Sequence, residues 1–463
     1  MDYDVVILGG GLTGCSIAYE LSKYNLNIAL IEKNYDIAHD ISHINTSIVY
    51  SGAESNNSLV SELESIGNDM LDMVVSKFNV PFKRTGTLYV ARNDEEEKRL
   101  VEIYNRAIDR GIKDVKLLNK EYVYAMEPNF KKDINKALYI KKTGVICPFD
   151  LALAYAEIAF VNDVNFKLEE EVIDIQKISQ GFKVITSKNK FKCKVVINTL
   201  NNFSYTIDKC ENNKPNKEEL KLFLFDSKFD NKFSNIISSI DENNDKAFIF
   251  SANNDETIGA MKTKNNIYNF ELLQKFSKLM EGIKFKDIKS FYESMYYTED
   301  ILIDDSSIDD GYIKIRGKHY GVVTMAPAIA TIVCETVRSN LNCKLKKEFI
   351  DKRREYFKFS ELTDEERETI IKADKRYGNM ICLCNYITEG EIIDSIRRPL
   401  GARTVEGVKR RTGASFGNCY GAQCLNKIVN ILARETNKNI TEIVKDSKNS
   451  RIILSRIKEF DEM

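Results

Sequence analysis

Asp4-Val5-Val6-Ile7-Leu8-Gly9-Gly10-Gly11-Leu12-Thr13-Gly14 is the stretch that decides the fold. Its first five residues are a short apolar run suited to a strand buried on both faces. The glycines follow at once, and Ser16 to Lys23 then carries Ile17, Ala18 and Leu21 at helical spacing. Asn27 to Ile31 reads as a second buried strand and ends in Glu32. Strand, glycine turn, helix, strand and acid is the order of a dinucleotide-binding unit. Gly9 permits the tight turn, Gly11 lets the backbone approach a pyrophosphate, and Gly14 lets helix and strand pack closely. Free N–H groups at the helix start, over Leu12 and Thr13, then face the phosphates. Glu32, 18 residues after Gly14, stands where a carboxylate accepts hydrogen bonds from a ribose. The competing reading is a structural turn with no ligand. The unit alone does not separate FAD from NAD.

Further stretches carry a resemblance. Phe82-Lys83-Arg84-Thr85-Gly86-Thr87-Leu88, Met126-Glu127-Pro128-Asn129 and Thr143-Gly144-Val145-Ile146-Cys147-Pro148-Phe149-Asp150 are similar to segments of the FAD-dependent D-amino-acid-oxidase superfamily. So are the Glu32-Lys33 ending, the strands at Glu171-Val172 and Val195 to Asn198, and the glycine turn and helix from Gly321 to Ala330. The resemblance implies FAD as cofactor. It carries FAD contacts over to Gly9, Gly11, Leu12, Thr13, Gly14, Glu32, Lys33, Ser42, Asn45, Val172, Gly321, Val322, Val323 and Thr324.

A second constellation lies late in the chain. Cys382-Leu383-Cys384 is followed, after 34 residues, by Cys419-Tyr420-Gly421-Ala422-Gln423-Cys424. Four thiolates can hold a 2Fe–2S cluster, with each close pair of cysteines forming one gripping loop. Helices are expected over Glu389 to Ile396 and Thr404 to Arg411, and Gly413, Gly417 and Gly421 supply tight turns. A four-cysteine zinc site is an alternative, although zinc pairs are usually spaced by about two to four residues. Four unrelated buried cysteines is another. Ile387 to Ile392, Gly407 to Arg411 and Gly417 to Gly421 closely resemble the bacterioferritin-associated ferredoxin domain. The version here is similar to the one fused to the large subunit of anaerobic glycerol-3-phosphate dehydrogenases. Arg397, Arg398, Lys409, Arg410 and Arg411 either offset the charge of a four-thiolate cluster or form a solvated helix face.

The chain of 463 residues is too long for one simple core. Its 68 Lys and Arg against 69 Asp and Glu leave a net charge of −1, which excludes a strong general pull toward nucleic acid or anionic membrane. The longest apolar runs, Val5 to Tyr19 and Tyr320 to Cys334, are interrupted by glycines or Pro327, so no membrane span is expected. The start lacks the basic opening of a secretory signal. That implies the cytoplasm, where thiols stay reduced. Cys15, Cys147, Cys193, Cys210, Cys334 and Cys343 then read as small buried apolar residues.

The expected fold class is α/β: a Rossmann-like FAD-binding domain with an interleaved α+β substrate domain, then a small helical 2Fe–2S domain. Residues 1–345 would form the oxidoreductase domain, its FAD part near 1–75, 140–205 and 300–345. Residues 346–378 would be a helical connector, and 379–463 the cluster domain and tail.

Three departures from the family pattern bear on chemistry. Where the resemblance has a His near the flavin, this chain has Tyr50, followed by Ser51 and Gly52. Thr199-Leu200-Asn201 stands in place of Ala-Ala-Gly after the returning strand, and Met295 falls where an Arg pairs with anionic substrate. Lys314, Arg316, Lys318 and His319 are the nearby substitutes in sequence. Tyr50 and His319 are the catalytic candidates; a Tyr with a pKa near ~10 is a poor base at neutrality, which favours His319 as the acid–base group. The resemblance implies an FAD-dependent dehydrogenase that oxidises a polyol phosphate or 2-hydroxy acid. Electrons would pass through FAD to the cluster and on to a partner redox subunit. The alternatives are a non-catalytic electron-transfer or scaffold subunit that keeps both cofactors, and a zinc-stabilised interaction module.

Overall fold

The structure is a computed structural model that describes residues 1–39, 47–200, 205–208, 217–229, 232–252, 256–264, 269–297, 301–317, 319–417 and 419–455. The chain divides into two compact units: residues 1–39, 152–194 and 344–463 form unit 1, and residues 40–151 and 195–343 form unit 2.

Unit 1 is built on the opening motif. Strand β1 (Tyr3–Leu8) pairs in parallel with β2 (Ile28–Ile31), which pairs in parallel with β9 (Asn165–Lys167). Helix α1 (Leu12–Ser22) makes the crossover between β1 and β2. All four residues of β2 are buried, as a strand covered on both faces must be. On the other side of β1 come β12 (Lys190–Asn198), β11 (Gly181–Thr186) and β10 (Val172–Ile178). This is the expected Rossmann-like arrangement. The C-terminal part of unit 1 starts after α8 (Asp364–Ala373) with a hairpin of β20 (Met380–Cys382) and β21 (Ile387–Thr388). Helices α9 (Glu389–Arg397), α10 (Val405–Thr412) and α11 (Leu425–Thr436) close over a core of Ile392, Ile396, Val408, Ile428 and Leu432. Thr388 and Glu391 form a reciprocal N-terminal cap on α9. Thr404 caps α10, and Gly413 ends it in the left-handed conformation.

Unit 2 holds an eight-stranded sheet in the order β17 (Ile288–Tyr297), β13 (Lys217–Phe225), β16 (Thr257–Thr263), β15 (Lys246–Ser251), β14 (Ile236–Ile240), β5 (Thr87–Ala91), β7 (Lys136–Ile140), β6 (Val115–Asn119). One core holds Tyr50, Tyr89, Phe248 and Tyr320 beneath α3 (Asp94–Asp109). Another holds Phe223, Phe225, Phe276 and Leu272 beneath α6 (Asn269–Ser277). A small sheet joins β3 (Ile48–Val49), β8 (Gly144–Ile146) and β4 (Phe82–Arg84). The last residues of β12 pair in parallel with β19 (Tyr312–Arg316), and β18 (Leu302–Ser307) pairs antiparallel with β19. The remaining helices are α2 (Ser58–Phe78), α4 (Lys120–Met126), α5 (Pro148–Val161), whose last ten residues belong to unit 1, and α7 (Val322–Leu341).

Helices α2 and α7 pack closely because Gly67 lets them; a Cβ there would collide with the Thr324 carbonyl. Among the described helices, α7 alone is long and apolar enough to cross a membrane, and 61% of its apolar window is buried in the fold.

Candidate functional site

The glycine turn in unit 1 is shaped for a dinucleotide. Gly9 has φ +103°, a conformation that other residues rarely adopt, and its N–H donates to the Ile31 carbonyl at 2.9 Å. The Gly10 N–H donates to Glu32 Oε2 at 2.8 Å. Glu32 Oε1 accepts from the Asn34 N–H at 2.9 Å and from Asn34 Nδ2 at 2.7 Å. The carboxylate is therefore fixed in direction, and Asn34, which the sequence reading missed, helps to fix it. Gly11 precedes α1 with no side-chain cap and no acidic residue in the first turn, so the N–H groups there stay available to an anion. Leu12 and Gly14 are buried, Thr13 is half-buried and Lys33 is exposed. Val172, the first residue of β10, is buried in the same unit. A fixed carboxylate beside uncapped N–H groups fits the ribose and pyrophosphate of FAD. Ser42 and Asn45 lie outside the described residues.

Unit 2 holds the remaining flavin-segment residues and a polar pocket. Gly321 caps α7; Val323 and Thr324 are buried in its first turn and Val322 is half-buried. The Tyr50 N–H donates to Thr324 Oγ1 at 3.0 Å, and Asn68 Nδ2 donates to the Tyr50 carbonyl at 2.6 Å. The Tyr50 ring meets Tyr320 edge-on at 5.2 Å and is 2% exposed, so Tyr50 is a packed core residue. His319 is buried, and its Nδ1 accepts the Gly321 N–H at 3.0 Å. Burial, then the charges of Lys262 and Lys246, push its pKa down to about 3. It is therefore neutral with its proton on Nε2, a donor and a poor base.

The pocket is lined by Lys246, Lys262, Arg106, Glu54, His319 and Tyr320, all of unit 2. Lys246 on β15 and Lys262 on β16 face each other in register. Both are held below the ordinary lysine range by burial. Among the described residues, neither ammonium has a carboxylate oxygen within 4 Å. Lys262 Nζ sits 2.9 Å from the Tyr320 ring centroid. Glu64, on α2, is buried; burial and the Glu54 charge push its pKa up to about 8. Glu54 Oε2, Glu64 Oε1 and Arg106 Nε are buried without a hydrogen-bond partner among the described residues. Like charges opposite one another in a sheet are destabilising, so this wall is built for something other than stability.

Of the substitutes expected from the sequence, His319 lines that wall. Lys314 is paired with Asp208 at 2.7 Å, Met295 is 47% exposed and opposite Glu219, and Lys318 and Asn201 lie outside the described residues. Lys262, directly after the run Ile258 to Met261, was the available signal: a charge within a buried strand.

The four cysteines come together in unit 1, in pairs formed across the two loops. All four are free thiols; that of Cys384 hydrogen-bonds with that of Cys419, and that of Cys382 with that of Cys424. The sequence reading had the pairs within each loop. Asn385 Nδ2 donates to the Gly413 carbonyl at 2.7 Å and ties the loops together. Gly417 has no room for a Cβ because Cys384 lies against it. Backbone N–H groups, first that of Gln423, hold the Cys419 thiol below its ordinary pKa, while burial raises Cys424. Among the described residues no group of three or more potential ligands converges on one point. The four thiols still form one connected set, Cys384 to Cys419 to Cys424 to Cys382, as the ligands of a 2Fe–2S cluster must.

The basic residues correct an expectation. Arg397 lies on a solvated face, while the others are drawn into ion pairs. Arg397 pairs with Glu435, Arg398 with Asp394, Lys409 with Glu406, Arg410 with Asp446 and Arg411 with Asp36. Arg398, Arg410 and Arg411 are buried in those pairs.

Comparison with known proteins agrees with this geometry. The family model described as FAD dependent oxidoreductase matches residues 4–336, and that described as BFD-like [2Fe-2S] binding domain matches residues 380–434. A glycerol 3-phosphate dehydrogenase of Caloramator mitchellensis is 35% identical over 97% of this chain and 98% of its own length. The mitochondrial L-2-hydroxyglutarate dehydrogenase of Caenorhabditis briggsae is 35% identical over 31% of this chain and 33% of its own. The solved L-alpha-glycerophosphate oxidase of Mycoplasma pneumoniae with FAD bound shares the fold, with a TM-score of 0.67 and 21% identity over 77% of this chain and 99% of that one. With its glycine turn, its fixed Glu32 and these matches, the chain belongs to the FAD-dependent oxidoreductase family, and its cofactors are FAD and, through the appended C-terminal domain, a 2Fe–2S cluster.

Proposed function

We propose that this protein is a cytoplasmic dehydrogenase that oxidises the secondary alcohol of glycerol 3-phosphate and hands the electrons to a partner redox subunit. The observation that carries the substrate class is the facing pair Lys246 and Lys262 in a buried wall shared with Arg106. A phosphomonoester can accept charge-assisted hydrogen bonds from these cations, and such bonds are the strong kind. The name of the Caloramator relative supports the same substrate.

FAD supplies the two-electron acceptor for the alcohol carbon. The protein binds, orients and shields. Gly10, Glu32 and the start of α1 hold the nucleotide. Lys246 and Arg106 hold the phosphate, and the Nε2 proton of His319 is free to orient a substrate oxygen. Cys382, Cys384, Cys419 and Cys424 would hold the cluster, which would supply one-electron chemistry. Around those loops Leu383, Tyr386, Phe416 and Tyr420 are exposed, between 43% and 65%. Large apolar side chains ringing a redox centre suit a partner that must come close.

Anaerobic mixing tests the substrate. Glycerol 3-phosphate is expected to bleach the flavin absorption, whereas glycerol, which lacks the anion, leaves it unchanged at the same concentration. Bleaching by 2-hydroxyglutarate alone would move the assignment to the 2-hydroxy acids. No bleaching by either would favour a relay subunit.

A further inference from the structure

Helix α2 turns a row of polar side chains toward the segment after β3 and the head of α7. Ser61, Glu64 and Asn68 follow one another at helical spacing, so they share one face. Ser61 Oγ donates to the Gly52 carbonyl at 2.7 Å, and Asn68 Nδ2 donates to the Tyr50 carbonyl at 2.6 Å. Glu64, between them, is 1% exposed, and its Oε1 has no partner among the described residues. That oxygen lies against the bare Cα of Gly321, where a Cβ would collide with it. Close packing keeps it there, since Gly67, three residues on, sits against the Thr324 carbonyl. A buried carboxyl without a partner is costly, so this one calls for a donor that a ligand brings. The resemblance assigns Gly321 to Thr324 to FAD, and the alcohol carbon has to meet FAD for its C–H bond to be oxidised. The hydroxyl on that carbon is such a donor, and its proton needs a base. The other candidates are engaged. Tyr50 is sealed in the core, and His319 Nδ1 accepts the Gly321 N–H. The face of the Tyr320 ring favours Lys262 as an ammonium. Glu54 accepts from the Tyr89 hydroxyl at 3.4 Å, and its backbone carbonyl accepts from Lys246 Nζ at 3.4 Å, on the anion's side of the pocket.

We propose that Glu64 is the general base of this active site, its Oε1 taking the proton of the substrate hydroxyl at the Gly321 turn. The C–H electron pair passes to FAD, the hydroxyl proton passes to the Glu64 carboxylate, and the carbon–oxygen double bond forms. The carboxylic acid then loses its proton to solvent before the next turnover. The charged and titratable groups facing Glu64 are Glu54 in the loop after β3, Lys246 on β15, Lys262 on β16, and His319 and Tyr320 before α7. Burial and Glu54 oppose its ionisation and the two lysines favour it, with a pKa raised to about 8 as the result. A base poised there can both take and release a proton near neutral pH. This assignment rests on the alcohol-oxidising reading above.

Two measurements on the full-length holoenzyme test it, both with glycerol 3-phosphate under anaerobic conditions. The first is an infrared difference spectrum of substrate-driven reduction, recorded above pH 8. A protonated-carboxyl band is expected to appear, to shift in heavy water and to be absent in Glu64→Gln. Chemical reduction of the flavin without substrate should not produce it. The second is the rate of flavin reduction. Glu64→Gln, which keeps shape and hydrogen bonding but cannot take the proton, should lose roughly 10²–10⁴-fold in rate with little change in half-saturation. The wild-type rate should rise with pH through an ionisation near 8 that Glu64→Gln lacks, and formate should restore part of the rate to Glu64→Ala. FAD content and chemical reduction of the flavin guard against misfolding: both should match the wild type in Glu64→Gln. An undiminished rate in Glu64→Gln would overturn the proposal. So would a carboxyl band that persists in that variant, or one that chemical reduction alone produces. A slow Glu64→Gln with depleted FAD would make Glu64 structural, unless formate rescues Glu64→Ala. If wild-type flavin is reduced by no polyol phosphate or 2-hydroxy acid, the alcohol-oxidising reading itself fails and this assignment falls with it.

Discussion

Both terminal nitrogens of Arg411 lie on the carboxylate of Asp36, 375 residues earlier in the chain, at 2.5 and 2.8 Å, and the arginine side chain is wholly buried. Asp36 follows Glu32 by four residues, and Ala38, two further on, donates its N–H to the Gly10 carbonyl at 2.8 Å. The pair thus joins the helix preceding the second cysteine loop to the segment that shapes the nucleotide turn. Arg411 also donates to the Leu400 carbonyl at 2.6 Å.

Removing one member of a buried ion pair strands the other. Arg411→Ala should cost about 3–5 kcal/mol in urea unfolding. It should also weaken FAD retention, since Asp36 would be left charged beside the turn. Dialysis against potassium bromide with a flavin count checks this; unchanged flavin content in Arg411→Ala would separate the pair from the nucleotide site.

The four cysteines should act as one set. Replacing any of Cys382, Cys384, Cys419 or Cys424 with Ser is expected to remove most iron and acid-labile sulfide and leave FAD in place. Cys343→Ser, in a half-buried position remote in sequence from the two loops, should retain both. Iron and sulfide analysis with a visible spectrum reads the outcome.

How much of this was legible beforehand follows from what makes each part recognisable. The nucleotide turn was readable because a glycine with positive φ, a buried strand and an acid are local demands on sequence, and they recur at fixed offsets. The four cysteines were readable for the same reason. Their pairing across the loops was not, because it depends on how the β20–β21 hairpin meets the loop before α11. The lysine wall escaped for a similar reason: Lys246 and Lys262 become neighbours only when β15 and β16 pair, and register is a tertiary property. His319 was found as a residue, but its tautomer comes from one contact with the Gly321 N–H. The buried partners of Arg410 and Arg411 were not readable because nothing near them in sequence supplies Asp446 or Asp36.

His319 predicts an acid limb to stability. Its folded pKa of about 3 lies below the ordinary value of 6.5, so between these values the unfolded chain binds a proton that the folded chain does not. Stability is full above pH 6.5 and declines as pH falls toward 3. His319→Asn should flatten that part of a urea-midpoint curve measured against pH.

Lys246→Met should raise the KM for glycerol 3-phosphate by about 10- to 150-fold, the equivalent of losing about 1.5–3 kcal/mol of charged hydrogen bonding. The rate at saturation should change far less. Steady-state kinetics with an artificial acceptor gives both numbers.

The apolar ring around the cysteine loops should matter only for electron exit. Leu383→Asp and Tyr420→Ser, both at exposed positions, should leave substrate-driven flavin bleaching unchanged and slow reduction of a protein acceptor. Stopped-flow traces of the two steps separate them.

Protein purified without oxygen, titrated with glycerol 3-phosphate while absorption and low-temperature electron paramagnetic resonance are recorded together, tests the central claim most directly. The account predicts that the flavin band bleaches and that the signal of a reduced 2Fe–2S cluster then grows in the same sample. A flavin that stays oxidised under excess substrate, or one that bleaches while iron-replete protein never develops that signal, would contradict it.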